Sequence, residues 1–309
     1  MDRLNLFRAK KRKYEMIGVE FATEGVAFAH IERVVGQLPR LLSAEFLPCE
    51  PEEAPARLRE RLGKLNLRGL PATAVLASTG YQLLLGDAPK VPAEELNEAL
   101  RWRVKDLVSF PVADAVIDAF LLPDSCSRGD ARLAYVTVAR REAVASLVAA
   151  MEETSLSLAA IEIPELALAR LVEVGYDTAR PVALVNLYQG GGSLLMVKAG
   201  ELYLARNFKL DYNAGLLDDI PVDALTLELQ RSLDYFERQL RQPPAARILL
   251  CGENVSADKL TESLTSALPG RMDLLDWSAA LTSEEPVAEH HQALCLRALG
   301  AALREEAVR

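Results

Sequence analysis

A two-lobed α/β protein with structurally repeated halves is the predicted architecture of this chain, and three observations predict it. Residues 16–31 read as an apolar strand, a short turn with Thr23 and Gly25, and a second apolar strand. Residues 182–198 repeat that pattern about 165 residues later, with a further strand at 201–208 behind it. The chain has 309 residues, 50% of them hydrophobic and 26% charged. That is a globular composition, and the length suggests about two domains of roughly 150 residues each.

The elements follow in order. Strands at 16–21, 26–33 and 40–48 alternate apolar and polar residues with turns between them. A charged helix at 52–65 keeps Leu58, Leu62 and Leu65 on one side, and short strands follow at 72–77 and 82–85. Pro92 opens a helix whose first turn holds Glu94 and Glu95, which suits the helix dipole, and the turn through Phe110 and Pro111 ends it. Strands at 115–122 and 131–139, a helix at 141–153, a strand at 156–163 and a helix at 164–174 complete the first half. After the second hairpin, Leu225, Leu229, Leu233 and Phe236 recur at helical spacing within 221–241. A strand at 247–251, a helix at 257–267, a strand at 272–275 and a closing helix at 288–303 finish the chain. The expected divisions are a basic tail at 1–15, a first lobe at 16–89 completed by 154–180, an inserted α/β subdomain at 90–153, and a second lobe at 181–309.

Composition excludes several functions. No window holds about 18 uninterrupted apolar residues, so no spanning helix is expected. The start has no apolar signal core, and a cytoplasmic location is the expectation. A net charge of −9 argues against a nucleic-acid binder. Cys49, Cys126, Cys251 and Cys295 are far apart and are expected to be reduced. His290, His291 and Cys295 lack a second ligand cluster, so no metal site is expected. The sequence holds no GxGxxG, Walker A or GxSxG motif, and Asp218 and Asp219 stand without a partner cluster of acids. Residues 1–13 carry Arg3, Arg8, Lys10, Lys11, Arg12 and Lys13 against Asp2, with Leu4, Leu6 and Phe7 among them. Such a segment is either a solvated tail or one that lies on an anionic bilayer, at about 1 kcal/mol per basic residue near the surface.

Four places carry a family resemblance: the hairpin from Ile17, the stretch 93–111 ending in Phe110-Pro111, the stretch 182–208, and residues 227–236 followed by 248–252. The run from Gln230 to Tyr235 and the Phe-Pro turn are the more specific of these. The chain resembles the PilM family of actin-like proteins of type IV pilus machines, in particular its MshI branch, which serves the MSHA-type pilus. The resemblance covers nearly the whole chain. It implies an actin-like (ribonuclease H-like) two-lobed fold with a subdomain inserted in the first lobe.

An actin-like cleft needs a carboxylate in the first hairpin for Mg²⁺, small residues beside it, and an acid in the second hairpin. Here Glu20 stands at the first acid position, with Thr23 and Gly25 in the turn. Ala22 stands where the family pattern has Gly, and Ala27 where Lys is common. Asn186 replaces the second acid, and Tyr188 replaces a Gly where phosphate would pass. Gly190, Gly191, Gly192 and Ser193 form a flexible, hydroxyl-bearing turn in this reading, and Gly252-Glu253 stands for a Gly-Gly turn. The cation shell loses a formal charge, worth about 4 kcal/mol at 4 Å and an effective dielectric of ~20. That loss lowers metal and triphosphate affinity by far more than tenfold.

The departures in the cleft point to a non-catalytic protein with no cofactor, and the resemblance implies a cytoplasmic scaffold of pilus assembly at the inner membrane. It implies binding of the cytoplasmic N-terminus of a bitopic, PilN-like assembly protein and, through it, connection to the assembly ATPase. That peptide would dock near 90–125, where Trp102, Leu107 and Phe110 are apolar; read from the residues alone, each of the three belongs to the core. Residues Arg8, Lys10, Lys11, Arg12 and Lys13 would face the inner leaflet. Two alternatives stand beside this: an ATP- and Mg-binding switch, using Glu20, Thr23, Asn186, Gly190, Ser193 and Gly252, and an actin-like filament former.

Overall fold

The computed structural model describes residues 13–34, 36–127, 131–214, 220–256, 259, 262–268, 270–284 and 289–305. Arg8, Lys10, Lys11, Arg12, Asp218 and Asp219 lie outside the described residues. Strand β1 (Lys13–Ala22) already includes residues 13–15, so the sheet takes up the last three residues of the expected tail. The Lys13 ammonium pairs there with Glu32.

The first sheet contains β1, β2 (Gly25–Val34), β3 (Arg40–Pro48), β4 (Pro71–Val75), β8 (Ser157–Glu162) and β14 (Thr282–Ser283), in the order β14-β3-β2-β1-β4-β8. The second contains β9 (Val182–Tyr188), β10 (Gly191–Lys198), β11 (Glu201–Lys209), β12 (Arg247–Gly252) and β13 (Arg271–Leu274), in the order β11-β10-β9-β12-β13. Apart from β14, the two orders are the same. In each, the first strand is antiparallel to the second and parallel to the fourth. The repeated halves are therefore real, and two-residue turns close both hairpins, at Ala22↔Gly25 and Tyr188↔Gly191.

Period-two alternation sorts the side chains into layers. Met16 of β1 and Val182 and Leu184 of β9 face a central layer formed by α4 (Pro164–Gly175) and α7 (Glu289–Ala302). Ile17 and Val19 face outward, under α1 (Ala54–Lys64) and α3 (Arg141–Glu153). Ala183, Val185 and Leu187 face α5 (Val222–Asp234) and α6 (Glu262–Ala267). Leu225, Leu229 and Leu233 of α5 are buried there, and a π-helical turn at Tyr235–Gln239 extends the helix past Phe236.

The central helices are exchanged between lobes, which the sequence-based division did not foresee. Helix α4 leaves the first lobe and packs on β9, β10 and β11, while α7 closes the chain against β1, β2, β3 and β4. Both approaches are close. A Cβ at Gly18 would run into the Ala298 carbonyl oxygen, and one at Gly300 into that of Ala167. Division of the lobes at 180/181 describes the order of the chain but not its packing. Strand β14, for which no sequence signal was read, also returns to the first sheet beside β3.

The inserted subdomain also has different bounds. Its sheet, in the order β5-β7-β6, comprises β5 (Tyr81–Asp87), β6 (Ala115–Leu121) and β7 (Leu133–Arg140), with α2 (Leu96–Val104) on one face. It therefore runs from 81 to 140 rather than 90 to 153. β5 pairs with β7, and α3 packs on α1 and β8 of the first lobe. The other face of the inserted sheet joins the second lobe: Leu133 and Tyr135 share a core with Tyr203 and Leu204. The Ala205 N–H donates to Tyr135 Oη at 2.8 Å, and Gln242 Nε2 donates to the Ser125 carbonyl at 3.1 Å. The subdomain thus bridges the lobe that carries it and the lobe opposite. Among the described residues, no helix is long and apolar enough to cross a membrane.

Candidate functional site

The two hairpins meet the central layer at equivalent positions. Counting back from the closing pairs makes Asn186 the counterpart of Glu20, and Tyr188 that of Ala22. Alternation points Glu20 to the inner face, on the same side as Met16 and Gly18. There Arg297 of α7 meets it, with Nη1 2.9 Å from Glu20 Oε1. Glu20 is only 7% exposed. Burial pushes its carboxyl above the usual range, and the Arg297 guanidinium opposes that shift. Thr23 stands exposed in the turn.

Across the layer, Asn186 is buried and its amide oxygen accepts from the Cys251 thiol at 3.7 Å. Burial pushes that thiol up to about 12. Tyr188 is half-buried and donates to the Gly192 carbonyl at 3.3 Å. Ser193 lies opposite Asn186 inside β10 and is buried, and Gly191 and Gly192 are strand residues. The expected flexible, hydroxyl-bearing turn is therefore smaller: only Gln189 and Gly190 form it, with Gly190 at φ +82°. Gly192 serves packing, since a Cβ there would meet the Phe208 ring at 2.7 Å.

The third piece, at the end of β12, is tied to this turn. Gly252 has φ +126°, and a Cβ there would strike the Leu187 carbonyl oxygen, so the backbone approach excludes any side chain. The Gln189 N–H donates to Glu253 Oε2 at 3.3 Å, and Tyr212 Oη donates to the Glu253 carbonyl at 2.7 Å. The Gly190 N–H donates to the Tyr212 carbonyl at 2.8 Å. The structure thus brings Asn186, Gly190, Ser193 and Gly252 together in the second lobe, while Glu20 and Thr23 belong to the first.

These residues do not fit a magnesium-bound triphosphate. The first-hairpin carboxylate is engaged by a guanidinium, and a resident positive charge repels a divalent cation at the same place, while the buried Glu165 carboxylate is taken by the Tyr81 hydroxyl. The opposite donor is an uncharged amide already accepting a hydrogen bond, and a phenol ring stands at the hairpin closure. Among the described residues, no group of three or more His, Cys, Asp or Glu could hold a metal ion.

Sequence reasoning missed Arg297 and the buried Tyr81–Glu165 pair, in which Tyr81 Oη donates to Glu165 Oε2 at 2.5 Å. Desolvation beside that carboxylate raises the Tyr81 phenol, and the charge of Arg297 opposes the rise. One signal for Arg297 was available: it is the sole charged residue between 293 and 303, in an otherwise apolar stretch.

The second cluster lies on the inserted subdomain. Trp102 is 71% exposed and Leu107 63% exposed, so neither is core. Their position after the buried stripe of Leu96, Leu100 and Val104 explains this: Trp102 lies off the stripe, and Leu107 follows the end of the helix. Phe110 is partly buried, with the Arg140 guanidinium 4.5 Å from its ring centroid. Arg101, Trp102, Lys105, Phe110, Pro111, Val112 and Ala113 line a pocket of about 460 Å³. Arg101 shapes it by donating to the Val112 carbonyl at 2.9 Å. Leu107 is not part of the lining.

No family model matches the chain, and no curated protein matches it. Solved structures do. One described as a PilM-PilN type IV pilus biogenesis complex is similar at a TM-score of 0.71 and 22% identity, over 93% of this chain and 97% of that one. The cytoplasmic domain of EpsL, an inner membrane component of the type II secretion system of Vibrio cholerae, is similar at a TM-score of 0.52 and 10% identity, over 96% and 97% of the two chains. A Bacteroides thetaiotaomicron protein described as having an actin-like ATPase fold matches at a TM-score of 0.48 and 10% identity, over 91% and 95%. With the duplicated sheets and exchanged central helices, the first two likenesses establish the architecture: the chain has an actin-like fold.

Proposed function

We propose that this chain is a non-catalytic scaffold of type IV, MSHA-like, pilus assembly on the cytoplasmic side of the inner membrane. It holds the cytoplasmic N-terminal segment of a bitopic, PilN-like assembly protein and so connects to the complex with the assembly ATPase. The observation that carries the reading is the Trp102 pocket, on a fold shared with a structure described as a PilM-PilN complex. An exposed indole beside an apolar floor of Phe110, Pro111, Val112 and Ala113 is an anchor for an inserted side chain. Arg101 and Lys105 give the rim a positive charge. In this reading the protein needs no nucleotide, and Arg8, Lys10, Lys11 and Arg12 lie against the anionic leaflet.

The test is fluorescence anisotropy with labelled peptides from the cytoplasmic starts of bitopic proteins encoded with the chain. One of them binds with micromolar Kd, and Trp102→Ala weakens it by about 30-fold or more, the loss typical of a central tryptophan anchor. Binding by none of these peptides, or equal binding by the Trp102→Ala protein, sinks the proposal.

A further inference from the structure

We propose that the second lobe sets the shape of the Trp102 pocket through strand β7, with Tyr135 and Gln242 as the clasp that fastens the two. The inference rests on the docking reading above and names what controls that site, but no peptide enters its argument. Strand β7 is the middle strand of the inserted sheet and is paired on both sides, so it cannot shift without β5 and β6. Alternation gives it two packed faces. Leu133 and Tyr135 enter the second lobe's core beside Tyr203 and Leu204. On the other face Ala134, Val136 and Val138 form a core with Leu96, Leu100 and Val104 of α2, and Phe110 and Val112 of the pocket pack against it. At the end of the same strand, the Arg140 guanidinium lies 4.5 Å from the Phe110 ring centroid. One strand thus carries the pocket floor on one side and rests on the opposite lobe with the other.

The fastening is polar and buried. The Ala205 N–H of edge strand β11 donates to Tyr135 Oη at 2.8 Å, and Tyr135 is 2% exposed. Gln242 follows the π-helical turn and is buried. Its Oε1 accepts from the Lys198 ammonium at 2.9 Å. Its Nε2 donates to the Leu240 carbonyl at 2.8 Å and to the Ser125 carbonyl at 3.1 Å. The amide is therefore held by two second-lobe partners while it grips the loop that leads into β7. Beside it Cys126 is 1% exposed and shares the second-lobe core. A buried amide or N–H that loses its partner carries its full desolvation cost, so contacts of this kind fix one arrangement. The second lobe and the pocket are then two ends of one packed unit, and a change at either end is felt at the other.

Two readouts on the full chain test this, and neither needs a ligand. The first is native-state labelling of Cys126 with a maleimide, read by mass spectrometry, with the buried thiols of Cys251 and Cys295 as controls for global unfolding. Gln242→Met and Tyr135→Phe each speed Cys126 labelling about tenfold, the effect of one stranded buried group, and leave Cys251 and Cys295 unchanged. The second is fluorine resonance of fluorotryptophan-labelled protein, which gives two signals because the chain holds two tryptophans, Trp102 and Trp277. Trp277 is buried in the central layer and serves as the reference. Both variants shift or broaden the Trp102 signal and leave that of Trp277 in place. Glu162→Gln, which breaks a buried ion pair between β8 and α4, lowers Tm without either change. Cys126 labelling at the parent rate in both variants overturns the clasp. A Trp102 signal that is unmoved in both, or that moves equally in Glu162→Gln, overturns the control of the pocket by the second lobe. Peptides that fail to bind leave these readouts as they are, so the docking reading and the clasp fail separately.

Discussion

Glu162→Gln should destabilise the fold measurably, because one buried carboxylate holds three segments. Glu162 ends β8, and its side chain is 0% exposed. Arg170 of α4 donates to both of its oxygens at 2.7 Å, and Arg304, just beyond α7, adds a contact at 3.2 Å. Arg170 also donates to the Gly300 carbonyl at 3.3 Å, so the cluster links the first sheet to both exchanged helices. Removing one partner of a buried pair costs about 3–5 kcal/mol. Arg170 is 19% exposed and Arg304 38%, so water recovers part of that, and about 2–4 kcal/mol is the expected loss. For a chain of this length the loss lowers Tm by about 3–6 °C. Calorimetry should show that shift beside a control, Glu60→Gln, which breaks the exposed Lys64–Glu60 pair and moves Tm by less than about 1 °C. Equal shifts for the two variants would refute the account of the cluster.

Two further predictions concern the site and the sheet beneath it. Gly252→Ala collides with the Leu187 carbonyl and holds alanine at positive φ, so it should cost more than about 2 kcal/mol and lower Tm visibly; a neutral result would mean that β12 relaxes away from β9. His30 is buried with Nε2 donating to Glu15 Oε2 at 2.9 Å. Burial holds its imidazole below the ordinary value, against the pull of Glu15 and Glu32, with Lys13 adding to the lowering. The unfolded chain therefore takes the proton first as pH falls below about 6.5, and stability present above that pH is lost on acidification. His30→Gln should flatten the decline of Tm between about pH 7 and 5, and an unchanged slope would remove His30 from the account.

The repeated hairpins were legible because alternation and a two-residue turn are local properties. Glu20 and Asn186 could be matched from sequence for the same reason, since each lies two residues before the closing pair of its hairpin. What occupies the cleft was not legible. Arg297 reaches Glu20 only because Gly18 and Gly300 let α7 cross to the first lobe, which is a matter of tertiary approach. The inserted subdomain began too late in the sequence reading because β5 looks like any buried strand until its partner β7 is known. Trp102 and Leu107 read as core from hydrophobicity alone, although the stripe through Leu96, Leu100 and Val104 already accounts for the buried face of α2; only the resemblance points to them as docking residues.

The most direct test of the scaffold reading is calorimetric titration of the full chain with the partner peptide, run with and without millimolar Mg-ATP. The account predicts one peptide per chain at micromolar Kd, the same in both conditions. Binding that appears only with Mg-ATP, or a Kd that changes tenfold when the nucleotide is added, would contradict it.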